Sequence, residues 1–249
     1  MTSTNNPESN AAAPPAGERR FVIVTGPGRS GTSAVARVLH ESGVEMGRDL
    51  APPSEHNRAG FYEELPVVDL NDEVMADLGM TTIAGWTDRS SVLQAAAPYS
   101  GRMRELALDA ADGWKDPRFC LLLEAWLPHL PAPPKIVVCL RSPEAFIHSV
   151  ISIFGLASRE QLEAWWSNHH LRVLEVIRHY RLQATCVRYE DLIADPERTV
   201  AALASFIGSP LDARYVEPAL QRHAQPVPER HAALFREVQA LASAPSVRR

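Results

Sequence analysis

"FVIVTGPGRSGTSAVARVL", residues 21–39, decides the fold. A β-branched apolar run leads into Gly26, and helical spacing at Val35, Val38 and Leu39 continues until Gly43. Between strand and helix stand Gly26, Pro27, Gly28, Arg29, Ser30 and Gly31, followed by Thr32 and Ser33. A glycine turn of this kind lets backbone N–H groups converge on an anion at the positive end of a helix dipole, and the hydroxyls add donors. The segment predicts a phosphate-binding loop. It lacks the lysine that a nucleotide-hydrolysing loop carries after its second glycine. Thr32 stands there instead, and the nearest cation is Arg29, inside the loop.

Outward from this loop, strands and helices alternate. "RRFVIVT" (19–25) is a strand, and "EELPVVDLNDEVMADLG" a helix with Pro66 in its first turn and Gly79 at its end. Residues 81–100 alternate poorly and predict a loop-rich excursion with short helices. "GRMRELALDAADG" is again helical and precedes a short strand around Trp114. "KIVVCL" (135–140) is the clearest central strand; beyond it Ser142 is the expected N-cap of a helix whose first position is Pro143. A longer helix starts at Ser158 in a capping box with Gln161 and buries Leu162, Trp165, Trp166, Val173 and Ile177. "QATCVRY" is a strand, and a helix bounded by Asp195 and Gly208 follows. With no Asn-Gly hairpin between the runs, the order predicts a three-layer α/β/α fold of P-loop type, its central parallel sheet covered on both faces. Ligands of such sheets sit beyond the carboxyl ends of the strands. The expected organisation is one domain over 19–243, with disordered tails at 1–18 and 244–249.

Composition narrows the function. A net charge of −5 leaves no excess of cations for general nucleic-acid binding. Cys120, Cys139 and Cys186 are odd in number and set among apolar residues, which suggests buried thiols in a reducing compartment rather than zinc or disulfides. Residues 1–18 lack the cationic start and apolar middle of a signal peptide, and no apolar run is long enough to span a bilayer, so the expected location is cytoplasmic. Only Lys115 and Lys135 are lysines among the 25 basic residues, so a lysine at a chemically suggestive position gains weight.

Three enzymatic readings of the loop compete. For ATP or GTP chemistry a strand-end Asp should help hold Mg²⁺. Here Arg141 ends the best strand, and Asp191 stands beyond an inserted Tyr-Glu. A serine-hydrolase elbow needs Gly-x-Ser-x-Gly, and "GRSGT" breaks that spacing at Thr32. A nucleotide sulfate donor is the third reading. "GPGRSGTS", "LRSPEAFIHS", "WKDPRFCLLLEAW" and "RYEDLIADPERTVAALASFIG" occur in the order in which similar segments occur in the sulfotransferase family, and the chain resembles that family over roughly residues 20–208. The resemblance implies in-line transfer of a sulfuryl group from 3′-phosphoadenosine 5′-phosphosulfate (PAPS) to a hydroxyl of a small-molecule, glycan or natural-product acceptor. It leaves 3′,5′-adenosine bisphosphate (PAP) and implies no metal.

The same resemblance assigns residues. Pro27, Gly28, Arg29, Ser30, Gly31, Thr32 and Ser33 form the 5′-phosphosulfate loop. Arg141 and Ser149 match the 3′-phosphate motif, and Tyr189 stands where members place an aromatic near the nucleotide. Two separated anionic groups call for two separated clusters of donors, with Arg29 in the first and Arg141 and Ser149 in the second. Lys115 is the candidate, with Arg29, to stabilise charge on the leaving phosphate, as a compact ammonium suits one bridging oxygen. "KDPR" is also readable as a structural knot pairing Asp116 with Arg118. Within "HNRAGFYEELPVVDLND" Glu63 is the candidate general base, with Glu64 and His56 as rivals. Residues 44–62 and 81–113 are expected to frame the acceptor pocket with Phe61, Trp86, Tyr99, Arg58, Arg89 and Arg102. Arg222 and Arg230 are candidates to close over the nucleotide. His169 and His170 are adjacent and point to different helix faces, which argues against a metal pair. His223 and His231 are expected at the surface. Alternative readings are a P-loop nucleotide-dependent kinase and a non-catalytic nucleotide-binding module, which would keep the loop but need no base.

Overall fold

A computed structural model describes residues 21–55, 57–80, 87–155, 158–217 and 226–243; both tails, His56, the 81–86 stretch with Trp86, and Arg222 and His223 lie outside the described residues. Among the described residues, four strands form one parallel sheet: β1 (Val22–Thr25), β2 (Gly113–Lys115), β3 (Lys135–Leu140) and β4 (Ala184–Arg188), in the order β2-β1-β3-β4. The helices are α1 (Thr32–Glu41), α2 (Leu65–Asp77), α3 (Arg89–Ala96), α4 (Ser100–Leu108), α5 (Phe119–Trp126), α6 (Pro143–Phe154), α7 (Arg159–Tyr180), α8 (Tyr189–Ala194), α9 (Pro196–Ile207) and α10 (Glu229–Gln239).

Strand alternation assigns the two faces of the sheet. Ile23, Ile136, Val138 and Leu140 enter one apolar core with residues of α2 to α7 and α10. Val22, Val24, Val137 and Cys139 enter another with α1, α8 and α9. The result is the expected three-layer α/β/α arrangement around a parallel sheet. Every strand pair is in parallel register, with Val24 opposite Lys115, Thr25 opposite Val138 and Leu140 opposite Arg188. All four carboxyl ends therefore open on the same edge. That edge carries the glycine loop, Lys115, Arg141 and Tyr189.

Several local readings hold. Ser158 and Gln161 complete the capping box of α7, Asp195 caps α9 by accepting from the Arg198 N–H, and Gly208 ends α9 in the left-handed conformation. The three cysteines are free and buried, and burial pushes their thiols upward, Cys120 to about 12. Three readings need correction. The stretch 87–100 is mainly helical rather than loop-rich: α3 runs into a 3₁₀ turn at Ala97–Tyr99 and then α4, because Asp88 accepts from the N–H groups of Ser90 and Ser91 and starts the helix. Ser142 occupies the cap position of α6 but its hydroxyl does not cap; the Glu190 carboxylate accepts the Ser142 N–H at 2.8 Å. His231 is buried, its ring 5.5 Å from Trp166 and its Nε2 3.6 Å from Glu163.

Candidate active site

The glycine loop is shaped by contacts a side chain would destroy. Gly26 has φ +143°, and a Cβ there would meet the Cys139 carbonyl oxygen at 2.5 Å. Gly31 has φ +90°, and its Cβ would meet the Tyr189 ring at 2.4 Å. The loop is closed by the Ser30 N–H donating to the Pro27 carbonyl at 3.1 Å, after which α1 begins, capped by Gly31 without a side-chain bond. Ser30 Oγ is buried and has no hydrogen-bond partner among the described residues. A buried hydroxyl without a partner costs free energy unless a ligand or water supplies one, so the loop suits an acceptor-rich group such as phosphate or sulfate.

Lys115 supplies the ammonium that the loop itself lacks. It ends β2 and is nearly sealed from solvent, with its side chain 2% exposed. Its Nζ donates to the Glu63 carboxylate and, at 3.2 Å, to Ser33 Oγ in the first turn of α1. Asn57 also donates to that Ser33 hydroxyl, at 3.0 Å. The backbone behind Lys115 is fixed through Asp116. The Asp116 carbonyl accepts from Thr25 Oγ1 at 3.1 Å, and its carboxylate accepts from Asn71 at 2.8 Å and Arg118 at 3.0 Å. The Asn71 amide oxygen in turn accepts the buried Trp126 indole N–H at 2.8 Å. The structural knot of "KDPR" is thus formed by Asp116 and Arg118, in the turn between β2 and α5, directly after Lys115.

Glu63 and Glu64 diverge. Glu63 faces Lys115 with its side chain 13% exposed. Glu64 is the N-cap residue of α2, and its carboxylate accepts from the backbone N–H groups of Arg48 and Asp49. Tyr62, just before them, has φ +55°; its hydroxyl donates to Glu41 at 3.0 Å, and burial with that carboxylate pushes the phenol up to about 12. His56 lies outside the described residues.

The second cluster differs from its sequence-based layout. Arg29 has φ +73°, and its Nε donates to Ser149 Oγ at 3.2 Å. Arg141 donates from its guanidinium to the Arg29 carbonyl at 3.0 Å and stands 4.7 Å over the Tyr189 ring. Arg29 was expected among the donors of the first cluster, yet its side chain reaches the second while its backbone stays in the loop. The two clusters are continuous, not separate. The Arg141 carbonyl accepts the Trp166 indole N–H at 3.0 Å, which ties the end of β3 to α7.

A cavity of about 330 Å³ is lined by Arg29, Thr32, Ser33, Arg141, Ser149 and Tyr189, together with Asn57, Arg58 and the Arg37–Glu217 ion pair; Lys115 and Glu63 are not in its lining and meet it through Ser33. Neither Asn57 nor Arg37 is singled out by the sequence reading; Asn57 reaches the cavity through its loop, whereas Arg37 stands one helical turn beyond Ser33 on α1, a spacing that could have marked it. Among the described residues expected on the acceptor side, only Arg58 lines this cavity. Arg89 pairs with the buried Glu124, Arg102 with Glu73, and Tyr99 donates to Asp77 at 2.8 Å. Arg230 pairs with Glu163 on α7. No described helix is long and apolar enough to cross a membrane.

A profile described as Sulfotransferase family matches residues 22–213, more than three-quarters of the chain. No curated protein matches it. Among solved structures, the sulfotransferase domain from the Synechococcus PCC 7002 olefin synthase is similar over 92% of this chain and 89% of that one, at 16% identity and a TM-score of 0.46. The sulfotransferase domain from the curacin biosynthetic pathway is similar over 90% and 89%, at 18% identity and 0.43. The sulfotransferase STF1 from Mycobacterium tuberculosis H37Rv is similar over 90% and 75%, at 20% identity and 0.47.

Proposed function

The chain belongs to the sulfotransferase family, and from that premise we propose that it transfers a sulfuryl group from PAPS to the hydroxyl of an alcohol or phenol, with Glu63 as general base. The observation that carries this reading is the contact of one buried ammonium, Lys115, with both the Glu63 carboxylate and the loop hydroxyl of Ser33. A proton acceptor, a cation and an anion-binding turn meet there at the carboxyl edge of a parallel sheet.

The residues fit the donor. The 27–33 loop and Lys115 would hold the phosphosulfate end; Arg29, Arg141 and Ser149 would hold the ribose phosphate. PAPS, when bound, supplies the sulfuryl group and a phosphate leaving group. The protein's own work is then to take the proton from the acceptor hydroxyl at Glu63 and to present fixed positive charge at Lys115. Positive charge set in advance at a nearly dry position costs no reorganisation during reaction.

Donor recognition is tested by calorimetry without added metal. PAP is expected to bind more tightly than 5′-AMP or ATP with Mg²⁺. A saturating level near a hundred times its dissociation constant raises stability by about 2.7 kcal/mol. Arg141→Ala is expected to weaken PAP by about 10–100-fold, the worth of a hydrogen bond to a charged group, while leaving 5′-AMP affinity nearly unchanged. Equal affinity of the parent protein for PAP and 5′-AMP removes the ribose-phosphate assignment. Tighter binding of ATP with Mg²⁺ favours the kinase reading.

A further inference from the structure

Three non-glycine residues among those described have positive φ: Arg29 (+73°), Tyr62 (+55°) and Arg181 (+52°). Arg181 is the C-cap of α7, where the left-handed conformation is ordinary. The other two flank the candidate site, one inside the glycine loop and one directly before Glu63. A bulky aromatic in this conformation is a steric outlier, and it persists only where its surroundings over-determine it.

The surroundings of Tyr62 do so. Its hydroxyl donates to Glu41 at 3.0 Å, and its ring lies 5.5 Å from that of His40 and packs on the α1 side of the core. The residues after it are pinned elsewhere: the Glu63 carbonyl accepts from the Ala51 N–H at 2.7 Å, and the Glu64 carboxylate holds the Arg48 and Asp49 N–H groups. Consecutive glutamates thereby receive different duties. We infer that Tyr62 is a positioning residue: its left-handed backbone and its anchor on the last turn of α1 aim the Glu63 carboxylate at Lys115.

The contacts close into a circuit. Ser33 in the first turn of α1 contacts Lys115, Lys115 contacts Glu63, Glu63 follows Tyr62, and Tyr62 returns to Glu41 at the other end of α1. The nine residues from Ser33 to Glu41 rise about 12 Å along a rigid helix. Base and donor loop are thus referenced to one rod from both ends. A displacement of about 1 Å at a reacting group costs on the order of 100-fold in rate, so such a reference has catalytic value.

This inference rests on the general-base reading of Glu63, and its test reads Glu63 directly. Carboxylates are labelled with a water-soluble carbodiimide and an amine, and Glu63 modification is quantified by peptide mass spectrometry against exposed Glu105. Tyr62→Phe and Glu41→Gln each remove one partner of the anchor. Both are expected to raise Glu63 labelling several-fold and lower turnover, with PAP affinity held within about twofold, and the double variant is no worse than either single change. Tyr62→Gly relieves the backbone strain yet is expected to lower turnover further, by on the order of 100-fold. A Tyr62 that is only a core residue gives a lower melting temperature with Glu63 labelling and turnover per folded molecule unchanged in Tyr62→Phe and Glu41→Gln, and that result overturns the inference. So does a loss of PAP affinity in proportion to turnover. Undiminished turnover in Glu63→Gln overturns the general-base reading instead, so the two failures are read on different variants.

Discussion

Glu63→Gln lowers turnover by about 10²–10⁴-fold, the usual worth of a positioned general base, while PAP affinity stays level or improves. The amide keeps the size of the side chain and an oxygen for Lys115 to donate to, so the geometry around the Lys115 ammonium survives. What it loses is the ability to take a proton from the acceptor. It also loses a negative charge close to the anion-binding loop, which accounts for the direction expected of PAP binding. The measurement is single-turnover transfer from labelled PAPS to whichever acceptor in a panel of phenols and sugars supports the fastest parent rate. Glu64→Gln is the matched control. The Glu64 carboxylate is committed to the Arg48 and Asp49 amides, so its replacement is expected to lower melting temperature more than turnover. A Glu63→Gln protein that turns over at the parent rate, beside a Glu64→Gln protein that does not, would transfer the role to Glu64.

The sequence is informative about this site where chemistry and local geometry coincide. A run of β-branched residues before Gly26 and a helical stripe after Gly31 determine strand, turn and helix locally, and Arg141 follows Leu140 out of a strand whose end is marked by its own pattern. Parallel order then brings Lys115, Arg141 and Tyr189 to one edge without any knowledge of tertiary contacts. What periodicity does not carry is the direction of a long side chain. Arg29 belongs to the loop by sequence, yet its guanidinium crosses to Ser149. Asn57 is one polar residue in a polar segment, and only the fold of that segment brings its amide to Ser33. Tyr62 is the least readable of all, because a left-handed conformation is the one least expected of an aromatic side chain. Ser142 shows the opposite failure. A strong local signal, Ser before Pro, sets the cap position correctly, yet the hydroxyl makes no bond to the first turn of α6.

Lys115→Met is expected to lower turnover by about 10²–10³-fold, comparable with the loss of one preorganised donor at a developing oxyanion. Lys115→Arg restores little of it. A guanidinium fork is wider than an ammonium, and a position whose side chain is only 2% exposed, packed between Glu63 and Ser33, has no room to re-aim one. The binding signature separates this end of the site from the other. PAP and 3′-AMP differ only in the phosphate that the loop and Lys115 would hold, whereas PAP and 5′-AMP differ only in the one assigned to Arg29, Arg141 and Ser149. Lys115→Met should therefore erase most of the preference for PAP over 3′-AMP while keeping the preference over 5′-AMP, and Arg141→Ala should do the reverse. Loss of both preferences in either variant means that the two anionic ends share one set of cations, a result that the Arg29–Ser149 contact makes worth measuring in Arg29→Ala as well. Full turnover in Lys115→Met leaves the ammonium a purely structural partner of Glu63, and the charge that builds on the leaving phosphate must then be met by the N–H groups of the glycine loop.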